Sequence, residues 1–180
     1  MRHLIKTVMS YPPGHVPTGW DAPENYVPEG CIEDYDLAFA AEVPVVGQQF
    51  ESFGYSWKVA QVQTYQPVEA MESPIERFHL VLCTWDGSVP TREPWHDGNA
   101  PLLVIHALPD GELATHEDGS GYYELVEREE WISPVEDWEI QQLQHFEPVA
   151  ERTPGDYDRV IVAWSVSATG LDEASGNEAA

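Results

Sequence analysis

Positive charge is what this 180-residue chain has least of: eight Lys and Arg stand against 32 Asp and Glu, the formal net charge is −24, and Lys6 and Lys58 are the only lysines. A field of that sign repels phosphate backbones and anionic lipid, which disfavours direct binding to nucleic acid or to a membrane surface. Cysteine is nearly missing as well. Cys31 and Cys83 fit neither a disulfide framework nor a zinc knuckle, and they read as two reduced thiols of a cytoplasmic protein, with Cys83 packed inside a strand. Long apolar runs are absent. The stretch Leu102-Leu-Val-Ile-His-Ala-Leu108 is far too short to cross a bilayer, and the amino terminus has no extended apolar region of the signal-peptide kind. Also missing are a glycine-rich phosphate loop followed by Lys-Ser/Thr, a dinucleotide fingerprint and a Gly-x-Ser-x-Gly elbow. These absences lean the reading away from an enzyme, and nothing in the sequence asks for a cofactor.

What is present is apolar and aromatic. Hydrophobic residues make up 42% and aromatics 11%, with seven tryptophans, which marks a globular chain with material for one good core or two small ones. One stretch is written twice. Trp57-Lys-Val-Ala-Gln-Val-Gln-Thr-Tyr65-Gln-Pro67-Val68 returns as Trp138-Glu-Ile-Gln-Gln-Leu-Gln-His-Phe146-Glu-Pro148-Val149, an offset of 81 (138 − 57). Both copies space large apolar groups by two, three and three residues, as a strand does when its alternation slips at a β-bulge. The same offset carries Phe50 onto Trp131. After each copy a second apolar strand ends in tryptophan, Phe78–Trp85 and Val160–Trp164, at an offset of 79 (164 − 85). A fixed period of this kind is the mark of a duplicated β unit. Against it, Ser133-Pro134-Val135-Glu136 has the form of a helix start with a capping box; strand is nevertheless the preferred reading of both copies.

The remaining elements follow from local chemistry. His3–Met9 is a short β-branched strand. Residues 11–30 hold five prolines and three glycines, and form a Pro-rich arm expected to run extended over the surface, pinned by or offering Tyr11, Trp20 and Tyr26. Ile32–Glu42, rich in alanine and opening on acids, reads as a short helix stopped by Pro44. Val45–Trp57 reads as strand, glycine turn and strand, and over about forty residues resembles the small barrels of SH3 domains, a likeness of fold alone. Pro101–Leu108 and Gly121–Val126 are further strands, with a turn at Pro109-Asp110-Gly111. The expected fold is therefore mostly β: two related SH3-like small-barrel units, in tandem or merged into one pseudo-symmetric barrel, spanning residues 1–95 and 96–166, with a disordered acidic tail at 167–180.

Two groups of residues could carry function. His96-Asp97, His106 and His116-Glu117-Asp118 are suitable ligands for a divalent metal and would serve a small metal-dependent or ligand-binding enzyme, but their spacing matches no metal motif. His106, inside an apolar strand, reads better as a core residue, and the other two as loop residues. The second group is aromatic and acidic: Trp20, Trp95 and Trp131 with Glu127, Glu129 and Glu130, since tryptophan anchors interfaces and acidic rims speed encounter with basic partners. The residue-level expectation is a non-catalytic, acidic interaction or assembly factor for a protein with a basic surface, or in a sharper form an acidic mimic of nucleic acid.

Overall fold

The structure is a computed structural model that describes residues 2–20, 32–69, 75–90, 102–108, 111–118, 130–132, 137–151 and 156–167. Among them are ten strands and no helix, and no helix long and apolar enough to cross a membrane. The protein is mostly β. The chain divides into two compact units, one of Met1–Gln66, Pro74–Arg92 and Val149–Glu151, the other of Pro67–Ser73, Glu93–Pro148 and Arg152–Ala180.

The first unit is built on β1 (His3–Ser10), β2 (Glu33–Ala40), β3 (Gln49–Ser52), β4 (Tyr55–Pro67) and β5 (Arg77–Thr84). β1 lies between β2, to which it is antiparallel, and β5, to which it is parallel. β4 flanks β5 on its other side, antiparallel, and β3 joins β4 as a hairpin. β5 is buried from Phe78 to Thr84, the mark of a strand covered on both faces. On one face Ile5, Met9, Tyr11, Trp57, Val59, Val81 and Cys83 form the core; on the other, Leu4, Val8, Phe78, Leu80 and Leu82 are equally buried. Burial pushes the Cys83 thiol up to about 12, so it packs as a small apolar group.

The second unit contains β6 (Leu102–Ala107), β7 (Leu113–Asp118), β8 (Glu130–Ile132), β9 (Asp137–Pro148) and β10 (Arg159–Ser167). Its pairings follow the same scheme: β6 antiparallel to β7 and parallel to β10, β9 antiparallel to β10, and β8 antiparallel to β9. Leu102, Val104, Ile140, Ile161 and Ala163 form its core, with Leu143 packed on them.

The two twice-written stretches are β4 and β9, so residues 137–148 are strand and not helix. Each carries one extra residue at the equivalent place. In β4 the register steps from Val59↔Cys83 to Gln61↔Leu82, leaving Ala60 as the bulge; in β9 it steps from Ile140↔Ser165 to Gln142↔Trp164, leaving Gln141, 81 positions on (141 − 60). A bulge restores Val62 to the face of Trp57 and Val59. The next step of three has no bulge, so Tyr65 falls on the opposite face, its ring 5.4 Å from that of Phe78. Phe50 pairs with Trp57 and Trp131 with Trp138. Inside the first unit the Val149 N–H donates to the Thr64 carbonyl, and inside the second the Val68 N–H donates to that of His145, each at 2.9 Å.

Several expectations are corrected. Residues 33–40 form a strand and not a helix: Tyr35, Leu37 and Phe39 recur every second residue, and pairing with the open edge of β1 overrides the helix propensity of the alanines. The ring of Phe39 carries the Arg2 guanidinium at 3.7 Å, and that of Tyr35 carries the Lys6 ammonium at 4.8 Å. His116-Glu117-Asp118 lies on β7 rather than in a loop, because β6 needs a partner on its outer edge. Registers align Phe78 with Val160, an offset of 82 (160 − 78), so Trp164 corresponds to Leu82 and not to Trp85. Ser167 closes β10. The described part of the arm, residues 11–20, is not extended but makes two turns, closed by the His15 N–H to Pro12 carbonyl and Trp20 N–H to Pro17 carbonyl bonds at 3.0 and 3.2 Å. Pro13-Gly14 and Thr18-Gly19 occupy their centres, with Gly14 and Gly19 at φ 82° and 87° as a type II turn requires. The expected strand at 121–126, the capping box at 133–136 and the tail beyond Ser167 lie outside the described residues.

The β3–β4 hairpin has a two-residue loop, Phe53-Gly54, with φ of 52° and 78°. Positive φ at both positions is the type I′ arrangement, which favours Asn-Gly. Phe53 is 54% exposed, so burial offsets little of the ~1 kcal/mol or more that a left-handed conformation costs an ordinary L-residue. A Phe53→Asn variant should be more stable by about 1 kcal/mol, read as a higher urea midpoint at unchanged m-value.

Candidate functional site

The densest meeting of chemically able side chains among the described residues is at one corner of the first unit. Tyr11 follows the end of β1, Trp85 follows the end of β5, and Tyr55 and Trp57 open β4. Because β1 and β5 are parallel and β4 opposes them, these ends coincide. Trp57 and Tyr11 form the floor, edge to face with centroids 4.9 Å apart. The Trp57 indole N–H donates to the Ser52 carbonyl at 2.9 Å, and the Tyr11 hydroxyl donates to Asp34 Oδ2 at 2.8 Å. Burial, with the Asp34 carboxylate, holds the Tyr11 phenol well above its ordinary range, so it stays a neutral donor.

Above this floor the first turn of the arm lays His15 flat on Tyr11, at 5.3 Å and 8° between planes. The same imidazole meets Trp85 at 4.7 Å and Tyr55 at 5.4 Å, both edge to face. Tyr55 stacks on Trp85 at 5.5 Å and 22°. Its hydroxyl receives the Thr18 N–H at 3.1 Å and is 2.8 Å from Thr18 Oγ1 and 3.3 Å from His15 Nε2. These bonds satisfy the hydroxyl and tie both turns of the arm to β4. Trp85 remains 40% exposed.

The turn after Trp85 fixes the carboxylate of the next residue, Asp86. Asp86 Oδ1 accepts from the Ser88 N–H at 2.9 Å, the Ser88 hydroxyl at 2.7 Å and the Thr84 hydroxyl at 3.3 Å. Those bonds, the two from Ser88 foremost, hold the Asp86 carboxyl below the usual carboxylate range. Gly87, at φ 80°, lets the turn close over the Lys58 side chain, whose Cδ would lie 2.6 Å from any added Cβ.

A second titratable group runs through the first unit at the other end of β5. His79 lies between Thr64 and His3: Thr64 Oγ1 is 3.1 Å from its Nδ1, and His3 Nδ1 is 3.1 Å from its Nε2. Burial, then the neighbouring His3 and Arg77, lower the His79 pKa to about 4. In the second unit burial and Arg159 lower that of His145, with Glu69 opposing.

The interaction residues expected from the sequence are only partly described. Trp20 stands on the second arm turn, 48% exposed. Glu130 and Trp131 are placed on β8, opposite Glu139 and Trp138. Trp95, Glu127 and Glu129 lie outside the described residues, as does His96. His106 is 2% exposed in β6, and His116 pairs with Val104, two positions from the His106–Ala114 pair. Among the described residues no three His, Cys, Asp or Glu are placed to hold a metal ion. The corner of His15, Tyr55 and Trp85 went unread in the sequence; the available signal was Pro-Pro-Gly-His after a strand, a turn that returns its last residue to the strand's end. No family model, no curated protein and no solved structure matches the chain.

For His79, unfolding restores an ordinary imidazole near pH 6.5. Between pH 6.5 and about 4 the unfolded chain therefore binds the proton that the folded chain refuses, and stability falls as pH falls through that window. A His79→Gln variant should lose that component. Urea midpoints across the window should show wild type declining more steeply, by on the order of 2 kcal/mol after allowance for solvent screening.

Proposed function

We propose that this chain is a non-catalytic, acidic interaction or assembly protein of the cytoplasm that engages a positively charged surface of a partner macromolecule. The charge carries the reading: −24 over 180 residues. The placement of the cations strengthens it, since Lys6 is 3% exposed and half of the lysine complement is thereby withdrawn from the surface. Trp20, Trp95 and Trp131 with Glu127, Glu129 and Glu130 are its proposed contact residues, and Trp85 joins them by its exposure. In the same reading the two units descend from one duplicated, SH3-like β unit. The shared pairing scheme, the bulges at Ala60 and Gln141 and the paired Phe50–Trp57 and Trp131–Trp138 support that descent. A mimic of nucleic acid that covers the binding face of another protein is the sharper form.

Affinity purification from the native cell at two salt concentrations tests it. A basic partner held at low and released at high ionic strength is the expected result; an acidic partner retained at high salt would sink the reading. Neutralising Glu127, Glu129 and Glu130 together should weaken capture severalfold.

The metal-dependent reading keeps one supporting observation, the β6–β7 register that places His116 two positions from the partner of His106. Elemental analysis of purified protein decides it: stoichiometric metal lost on His106→Ala or His116→Ala supports a site, and a metal-free folded protein removes it.

A further inference from the structure

Phe53 is out of place by every criterion of folding. It holds a left-handed conformation that Asn or Gly adopts at little cost, it is 54% exposed, and it stands on a two-residue loop with no room for drift. Strain and exposure in one apolar residue call for something outside the chain to reward them. Two residues on is Tyr55, whose ring stacks on Trp85, itself exposed on a turn that immobilises the Asp86 carboxylate. An indole plane is the strongest aromatic seat for a cation, and an adjacent anion completes a site for a planar guanidinium, which stacks on one and hydrogen-bonds the other. Asp86 Oδ1 carries the hydrogen bonds of the turn, so recognition falls to Oδ2. Asp34, bound to the Tyr11 hydroxyl, adds a second carboxylate behind the aromatic floor. Lys58, folded under Gly87, is the nearby cation that opposes this field.

We propose that the corner of Tyr55, Trp85 and Asp86, with Phe53 on the hairpin loop that leads into Tyr55, is a recognition site for an arginine side chain on a basic segment of a partner protein. The proposal rests on the acidic-interaction reading and gives it an address. Charge complementarity selects the occupant: a chain of net charge −24 gathers cationic segments, and the exposed Trp85 ring, followed in the chain by the fixed Asp86 carboxylate, picks out the guanidinium among them.

The test is a binding titration of the full chain at low ionic strength with a labelled Arg-Gly-Ser repeat peptide and its counterpart carrying citrulline, the neutral isostere, in place of arginine. The arginine peptide should bind and the citrulline peptide should bind at least about tenfold more weakly. Trp85→Ala should weaken the arginine peptide by about tenfold or more, and Asp86→Asn by severalfold. Because Trp85→Ala could also loosen the corner, Phe53→Asn is the decisive variant: it should lose affinity severalfold while being at least as stable as wild type. Equal affinity for the two peptides overturns guanidinium recognition. Arginine binding left unchanged by Phe53→Asn and Trp85→Ala overturns the site while leaving a basic partner in place elsewhere. Failure to bind either peptide overturns the proposal, and the reading beneath it then stands or falls by the two-salt purification.

Discussion

The parallel pairing of β1 with β5 is the constraint from which the rest of the first unit follows. Parallel neighbours cannot be joined by a tight turn, so the intervening chain must leave one end of β1 and come back to the other end of the sheet before β5 begins. On the way it lays β2 on the outer edge of β1 and folds the β3–β4 hairpin onto the outer edge of β5. The exits of β1 and β5 and the entrance of β4 then share one end, and that is why Tyr11, Trp85, Tyr55 and Trp57 meet. β6, β10 and β9 repeat the arrangement in the second unit. Burial on both faces of β5 makes this pairing costly to disturb, since shifting it by one residue would exchange the Ile5–Met9–Val81 face for the Leu4–Val8–Leu80 face throughout.

Acidity and stability are reconciled locally. Glu33 and Asp34 on β2 receive the Ser10 and Tyr11 hydroxyls, at 2.9 and 2.8 Å, and Asp86 is satisfied by its own turn. For Asp86 the bonds from Ser88 hold the carboxyl below the usual carboxylate range. Two cations are seated on rings, Arg2 on Phe39 and Lys6 on Tyr35, on the same face of β2 where Glu33 meets Ser10. The edge of the first unit's sheet at β2 is thus held by polar and cation–π contacts.

The sequence exposed the sheet more readily than the site because strands advertise themselves by period and corners do not. The two, three, three spacing of Trp57, Val59, Val62 and Tyr65 announced a bulge, although it concealed that Tyr65 belongs to the other face. The alternation of Tyr35, Leu37 and Phe39 was equally present, but three alanines and an acidic start outweighed it in a local reading; the deciding fact, an unpaired edge on β1, is not local. Alignment of the second strands by their tryptophans misled for a related reason, since identity matched residues that register keeps three positions apart. The corner needed His15, Tyr55 and Trp85 joined across 70 positions (85 − 15), and only topology supplies that.

The corner also grades from fixed to free, and that gradient bears on what it can do. Trp57 and Tyr11 are enclosed and hydrogen-bonded, Tyr55 is half-buried and held by Thr18, His15 is half-buried and bonded to the Tyr55 hydroxyl, and Trp85 is exposed. A partner that met loose aromatic side chains would have to immobilise them, at a cost of roughly 0.5–1.5 kcal/mol each. Here the stack of Trp85 on Tyr55 limits that freedom before any encounter. The stacked Trp85 and the bonded turn at Asp86 follow one another in the chain, so rigidity acquired during folding lowers the ordering still required on binding there.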